Sequence, residues 1–225
     1  MILVLSGEGK TDLGELDFET GEFKAGAMYM IIDKIIETKY NYSPYRTSKD
    51  NIKYIPESEL SKKAKSLKPI KLPSANSKKE TAYFFRNARA LATISKEYEN
   101  CIAIFFRDSD GTNSSTNSEW QDKYDSILKG FDSTNFKKGI AMLPKPKSEA
   151  WLICALKNKY QNCNNLENES GNDASPNSLK KQLEVYNLSN EQICEKIENN
   201  EIGIEKIKMN SFEKFKSRLE EIIND

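Results

Sequence analysis

Met1 to Leu5 are five consecutive apolar residues, with Ile2 and Val4 β-branched, and the run ends in Ser6-Gly7-Glu8-Gly9-Lys10-Thr11-Asp12. So short an apolar run, closed by glycine, reads as a strand buried on both faces, as in the core of a parallel sheet. In open α/β sheets, ligands bind beyond the carboxyl ends of the strands, which is where this loop falls. Gly7 and Gly9 allow a sharp turn and leave room beside Glu8 for close approach. Glu8, backed by Asp12, therefore reads as a metal site rather than a plain turn.

Two later stretches repeat the pattern. Cys101 to Phe106 is a second continuous apolar run, followed by Arg107-Asp108-Ser109-Asp110-Gly111. Residues two apart in extended chain project to one side, so Asp108 and Asp110 converge, and they repel unless a cation or protons sit between them. Gly139 to Leu143 is a third candidate strand and leads into Pro144-Lys145-Pro146-Lys147-Ser148-Glu149-Ala150-Trp151. Ser148 is expected to cap a helix there, with Glu149 in its first turn, where the helix dipole alone would justify an acid. Three strands thus deliver carboxylates to what should be one edge.

Between these stretches, Asp17 to Lys24 reads as polar and irregular, and Ile52 to Ile55 as a short strand. A helix opens at Ala25-Gly26-Ala27-Met28, with Met28, Ile31, Ile32, Ile35 and Ile36 on one face. Helices are also expected over Glu80 to Tyr98 and Glu119 to Gly130. Asn158 to Asn177 reads as exposed loop. The remainder is helical, with Phe212, Phe215, Leu219, Ile222 and Ile223 on a face broad enough to share with a second subunit. At 225 residues the chain accommodates one sizeable core with a smaller appendage, here residues 1–157 and 178–225.

Composition narrows the chemistry. Histidine is absent, which excludes Ser-His-Asp and Cys-His catalysis and histidine-held metals. Lys plus Arg and Asp plus Glu both number 34, so polyanion binding must come from local clustering. One such cluster runs from Leu60 to Lys79, with seven lysines and no acid. Lys62, Lys63, Lys65 and Lys68 within it are candidates for tracking phosphates, against the plainer reading of a solvated loop. The four cysteines form no CxxC pair and read as buried or incidental thiols. No signal peptide is expected ahead of the first strand, and no apolar run approaches the ~20 residues of a bilayer span, so a cytoplasmic protein is expected.

Clustered carboxylates without histidine suit Mg2+ or Mn2+, hard ions that activate water and stabilise a leaving oxygen in phosphodiester hydrolysis. An apolar strand, then Glu8-Gly9-x-Thr11-Asp12, then a later strand ending Asp108-x-Asp110, resembles the Toprim domain. The similarity is greatest to nucleases of the overcoming-lysogenization-defect (OLD) type and to small bacterial Toprim-like proteins. That group commonly carries Glu-Gly-x-Thr-Glu, for which Asp12 supplies the last acid. The Gly26-Ala27-Met28 helix and the segment from Pro144 to Trp151 extend the resemblance over residues 1 to 157. It implies a mainly parallel sheet flanked by helices, with Glu8, Asp108 and Asp110 as central metal-site acids. Asp12 and Glu149 would complete a second metal position, and Lys145 or Lys147 would stabilise phosphate charge. It also implies a DNA or RNA substrate, a co-encoded ATPase partner and a role in anti-phage defence.

Other readings compete. Gly9-Lys10-Thr11 is similar to the end of a P-loop, but Val4 stands where its first glycine belongs and no helix signal follows. Asp108-Ser109-Asp110-Gly111-Thr112 resembles the first motif of haloacid-dehalogenase-type phosphatases, with Asp108 as nucleophile, and this leaves Glu8 and Asp12 unexplained. A non-catalytic Toprim-like partner-binding module is the remaining alternative.

Overall fold

The computed structural model describes residues 1–17, 19–70, 79–109, 117–157 and 162–224. Four parallel strands form the main sheet in the order β4-β1-β5-β6, built from β1 (Ile2–Gly7), β4 (Ile52–Tyr54), β5 (Cys101–Phe106) and β6 (Gly139–Met142). This is the α/β class expected from the continuous apolar runs. All six residues of β5 are buried, as a central strand requires. Glu8, Asp108 and Ser148-Glu149 follow β1, β5 and β6, which are neighbours, so the acids do emerge along one edge.

Side chains alternate across the sheet. Leu3, Leu5, Ile102, Ile104, Phe106, Ile140 and Met142 enter one core, and Val4, Ala103, Phe105 and Ala141 the other. The second core is closed by α3 (Glu57–Ser66), α4 (Lys79–Ser95) and α5 (Asn117–Asp132). The first is closed by α1 (Ala27–Tyr40), α6 (Ser148–Leu156) and the C-terminal helices α8 (Asn190–Glu198) and α9 (Asn210–Asn224). Residues 27 to 36 of α1 are all buried, a wider burial than the single apolar face read from sequence. The helix shares one core with the sheet, and α8 packs on it as well.

Several expectations are corrected. The described part of Asp17 to Lys24 is the connection of a hairpin and the start of its second strand, with β2 (Gly14–Leu16) antiparallel to β3 (Phe23–Ala25). Buried Phe23 anchors the hairpin, and the Asp17 carboxylate accepts from the backbone N–H of Glu19 and Thr20 in its turn. Thr11 lies inside one π-helical turn, Gly9–Leu13, and β2 begins immediately after it, so no α-helix follows Thr11 directly. Within 162–177 the expected loop contains a 3-10 turn, Cys163–Asn168, that buries Cys163, Leu166 and Glu167. Cys163 is disulfide-bonded to Cys154 of α6, so two cysteines are neither free nor incidental. Phe212, Phe215, Leu219 and Ile222 of α9 are buried in this chain's own core, as expected for the part of the C-terminal region that packs on it, and Ile223 is partly buried beside them. A short helix, α2 (Pro44–Thr47), and a six-residue one, α7 (Leu179–Glu184), complete the order. Among the described residues no helix is long and apolar enough to cross a membrane.

Candidate functional site

The glycines beside Glu8 do not leave open space. A Cβ at Gly7 would meet the Phe106 carbonyl at 2.7 Å, and Gly9, at φ +79, would drive one into the Asp12 carboxylate. Glycine there brings the loop down onto β5 and folds Asp12 back towards Glu8 through the π-helical turn. Two adjacent strand ends are then tied together by side chains. Glu8 Oε1 accepts the Asp108 N–H at 3.1 Å, and Glu8 Oε2 pairs with the Arg107 guanidinium at 2.9 Å.

Ser148 makes the link to the third strand. Lys147, not Ser148, occupies the N-cap position of α6, so Ser148 is the first helical residue and its backbone N–H is free of intrahelical duty. That N–H donates to Asp108 Oδ1 at 2.8 Å, while the Ser148 hydroxyl donates to Asp12 Oδ1 at 2.8 Å. One residue at a helix N-terminus thereby orients acids from two different loops, where the positive helix end favours anions.

The electrostatics follow from this crowding. Burial, then the charges of Asp12, Glu149 and Glu8, push the Asp108 carboxyl well above the usual range. Burial raises Asp12, against the opposing pull of the Ser148 hydrogen bond and Lys147. Glu149 is likewise raised, first by burial and also by Asp12. Its Oε2 is buried and has no hydrogen-bond partner. An orphaned carboxylate oxygen beside two acids fits an oxygen-seeking cation, which would supply the missing partner. Among the described residues, however, no three acidic or cysteine side chains are gathered closely enough to hold an ion. Asp110 lies outside the described residues.

Glu8, Asp12, Asp108 and Glu149 line one cleft of about 570 Å3, together with Lys147. Lys147 also pairs with Asp173 at 2.9 Å. Lys145 is buried and is not among the residues lining this cleft. The basic run does not join it either. Lys62, Lys63 and Lys65 lie on α3 and Lys68 just beyond it. Lys63 approaches Glu97 at 3.8 Å, where the chain returns from α4 to the amino end of β5. The acids sit past the other end of that six-residue strand, ~20 Å away along it.

Sequence reasoning missed Arg107, although it stands next to Asp108. Besides Glu8, its Nη1 reaches Glu57 Oε1 at 3.0 Å and the Tyr83 hydroxyl at 2.6 Å, with the guanidinium 4.5 Å from the centre of the Tyr83 ring. Burial pushes the Tyr83 hydroxyl up, so it stays protonated and donates to Glu57 at 2.8 Å. Ser148 was seen only as a cap, because nothing in a one-dimensional pattern reports which acids a helix N-terminus will face. Comparison with protein-family models, with curated proteins and with solved structures finds no match for this chain.

Proposed function

We propose that the chain is a divalent-metal-dependent phosphodiesterase of Toprim type, a nuclease using Mg2+ or Mn2+. The observation that carries this reading is the partnerless, buried Glu149 oxygen in a cleft where burial raises Asp12, Asp108 and Glu149 alike, and the charges of Asp12, Glu149 and Glu8 raise Asp108 further. Carboxylates so placed are costly unless protonated or bridged by a cation. Glu8, Asp108, Asp12 and Glu149, which share the cleft without forming a ready-made ligand set, would have to draw together to hold the metal, with Asp110 as a further ligand in the proposal. A bound ion would supply an activated water and charge stabilisation for the departing oxygen. The protein's own share is orientation. Arg107 and the Asp108 N–H hold Glu8, Ser148 holds Asp108 and Asp12, and Lys147 offers positive charge at the rim. Work beside a co-encoded ATPase in anti-phage defence belongs to the same proposal and rests on the sequence resemblance alone.

Calorimetric titration of Mn2+ into the wild type, Glu8→Gln and Asp108→Asn tests it. Both substitutions preserve shape and remove charge, so folded protein with at least ~10-fold weaker Mn2+ binding is expected from each, since neither leaves a complete oxygen shell. Phosphodiester hydrolysis should be lost in both. A phosphatase acting through Asp108 as nucleophile predicts instead that Glu8→Gln stays active. Absence of Mn2+-dependent heat or stabilisation in the wild type overturns the metal reading.

A further inference from the structure

The acid-bearing edge is only one wall of the cleft. The other comes from the C-terminal region: Lys180 and Leu183 of α7, Leu188 in the following connection, and Ile193 of α8, with Leu152 of α6 also lining the cleft. Three features of this space limit what it holds. Its volume, about 570 Å3, falls among pockets that enclose a single small-molecule-sized unit, which run roughly 300–1,000 Å3. Its charge is wrong for a long backbone, because six carboxylates and only two lysines, Lys147 and Lys180, line it. Sites that track a strand present a continuous basic groove instead. Its far wall sets three apolar side chains, Leu183, Leu188 and Ile193, among the polar Asp173, Lys180, Glu184 and Asn190, where a groove for phosphates alone would carry no such apolar group.

We propose that the cleft takes one nucleotide unit, with a phosphate between the acid edge and Lys180 and the base against Leu183, Leu188 and Ile193. This rests on the metal-phosphodiesterase reading for the orientation of the phosphate. The unit is either the terminal nucleotide of a single strand or a free nucleotide. A duplex, with its bases paired and stacked and a major groove alone about 12 Å wide, presents no single base to such a wall.

The test is displacement of a fluorescent 5′-phosphorylated thymidine dinucleotide whose linkage is a hydrolysis-resistant phosphorothioate, in the presence of Mg2+, followed by anisotropy. Displacement reports occupancy of the cleft and ignores binding elsewhere on the surface. The competitors are the unlabelled dinucleotide, thymidine 5′-monophosphate, a circular single strand and a blunt duplex. We expect the dinucleotide to compete at least ~10-fold better than either of the last two, per accessible site. Monophosphate equal to dinucleotide assigns free nucleotides, and a weaker monophosphate assigns strand ends. Lys180→Ala, at an exposed position of α7, should weaken the dinucleotide about 3- to 10-fold with an unchanged melting curve, and Leu183→Ser should weaken it to a similar extent while lowering Tm, because Leu183 also packs against the core. Circular strand or duplex competing as well as the dinucleotide overturns the proposal, as does indifference to both substitutions. The two readings separate cleanly. Mn2+ binding without dinucleotide binding removes the nucleotide wall and leaves the metal. Dinucleotide binding that depends on Lys180 without any Mn2+ heat removes the metal and leaves the wall.

Discussion

Replacing Arg107 by Ala should destabilise the protein by about 2–3 kcal/mol, a figure assembled from its four contacts. Its side chain is 27% exposed, and its partners Glu8 and Glu57 are 30% and 49% exposed, so neither pair is fully desolvated. A buried charge-assisted hydrogen bond contributes about 1.5–3 kcal/mol and an exposed pair about 0–1, which places the Glu8 contact near ~1–1.5 and the Glu57 contact near ~0.5. The guanidinium over Tyr83 and its bond to the hydroxyl add about 0.5–1 kcal/mol. For a chain of 225 residues, 1 kcal/mol moves Tm by about 2–4 °C, so Arg107→Ala should melt roughly 5–10 °C lower. Arg107→Lys keeps the charge but not the planar fork that spans both carboxylates, and about half of the loss should remain. A double-mutant cycle with Glu8→Gln, read by urea denaturation, should give a coupling of about 1 kcal/mol. Mn2+ affinity should fall in Arg107→Ala, because Glu8 loses the contact that fixes it. A variant within ~0.5 kcal/mol of wild type and zero coupling would refute this account of the strand-end network.

Two further outcomes follow from the same geometry. Asp12, Asp108 and Glu149 are all raised in the folded state, so the metal-free native protein binds more protons than the unfolded chain above the ordinary carboxylate range. Its stability should fall as pH rises from that range through the raised native values and then level off; Asp108→Asn should flatten the fall in urea midpoints measured across pH, and a rise instead of a fall would contradict the arrangement. Replacing Lys62, Lys63, Lys65 and Lys68 together by Ala should make non-specific binding of long single strands less salt-dependent, by up to ~3 in the log–log slope, while leaving dinucleotide displacement unchanged; a changed displacement curve would place these lysines at the cleft.

What was legible in the sequence is what depends on local pattern. Continuous apolar runs identified β1, β5 and β6, because a strand buried on both faces has no other composition. Acids immediately beyond each run could be assigned to one edge, because parallel strands all end on the same side. The hairpin was hidden because its strands are three residues each, too short for alternation to register, and only Phe23 betrays it. The lysine run shows a different limit of reading along the chain. Counting charge along the chain found no acid from Leu60 to Lys79, yet in space Glu97 stands beside Lys63. The roles of Arg107 and Ser148 depend on contacts 99 and 136 residues away along the chain, with Glu8 and Asp12 respectively. No window of sequence holds both partners.

The C-terminal region bears on the site through α6 rather than through the cleft alone. Trp151, three residues after Ser148, is fully buried, stacked on Phe215 with ring centres 5.8 Å apart and edge-on to Phe212 at 5.2 Å. Its indole N–H donates to the Ser211 hydroxyl at 2.9 Å, and the Ser211 backbone N–H is in turn accepted by Glu167 Oε1 at 2.7 Å. Buried rings in such contact contribute beyond their area, and a satisfied indole fixes orientation as well as depth. The rotation of α6 about its own axis is therefore set by α9 and the 3-10 turn. That rotation decides where the Ser148 N–H and hydroxyl point, and hence how Asp108 and Asp12 are held. A segment that the sequence presents as an appendage thus helps to build the edge that carries the chemistry, as well as the wall opposite it.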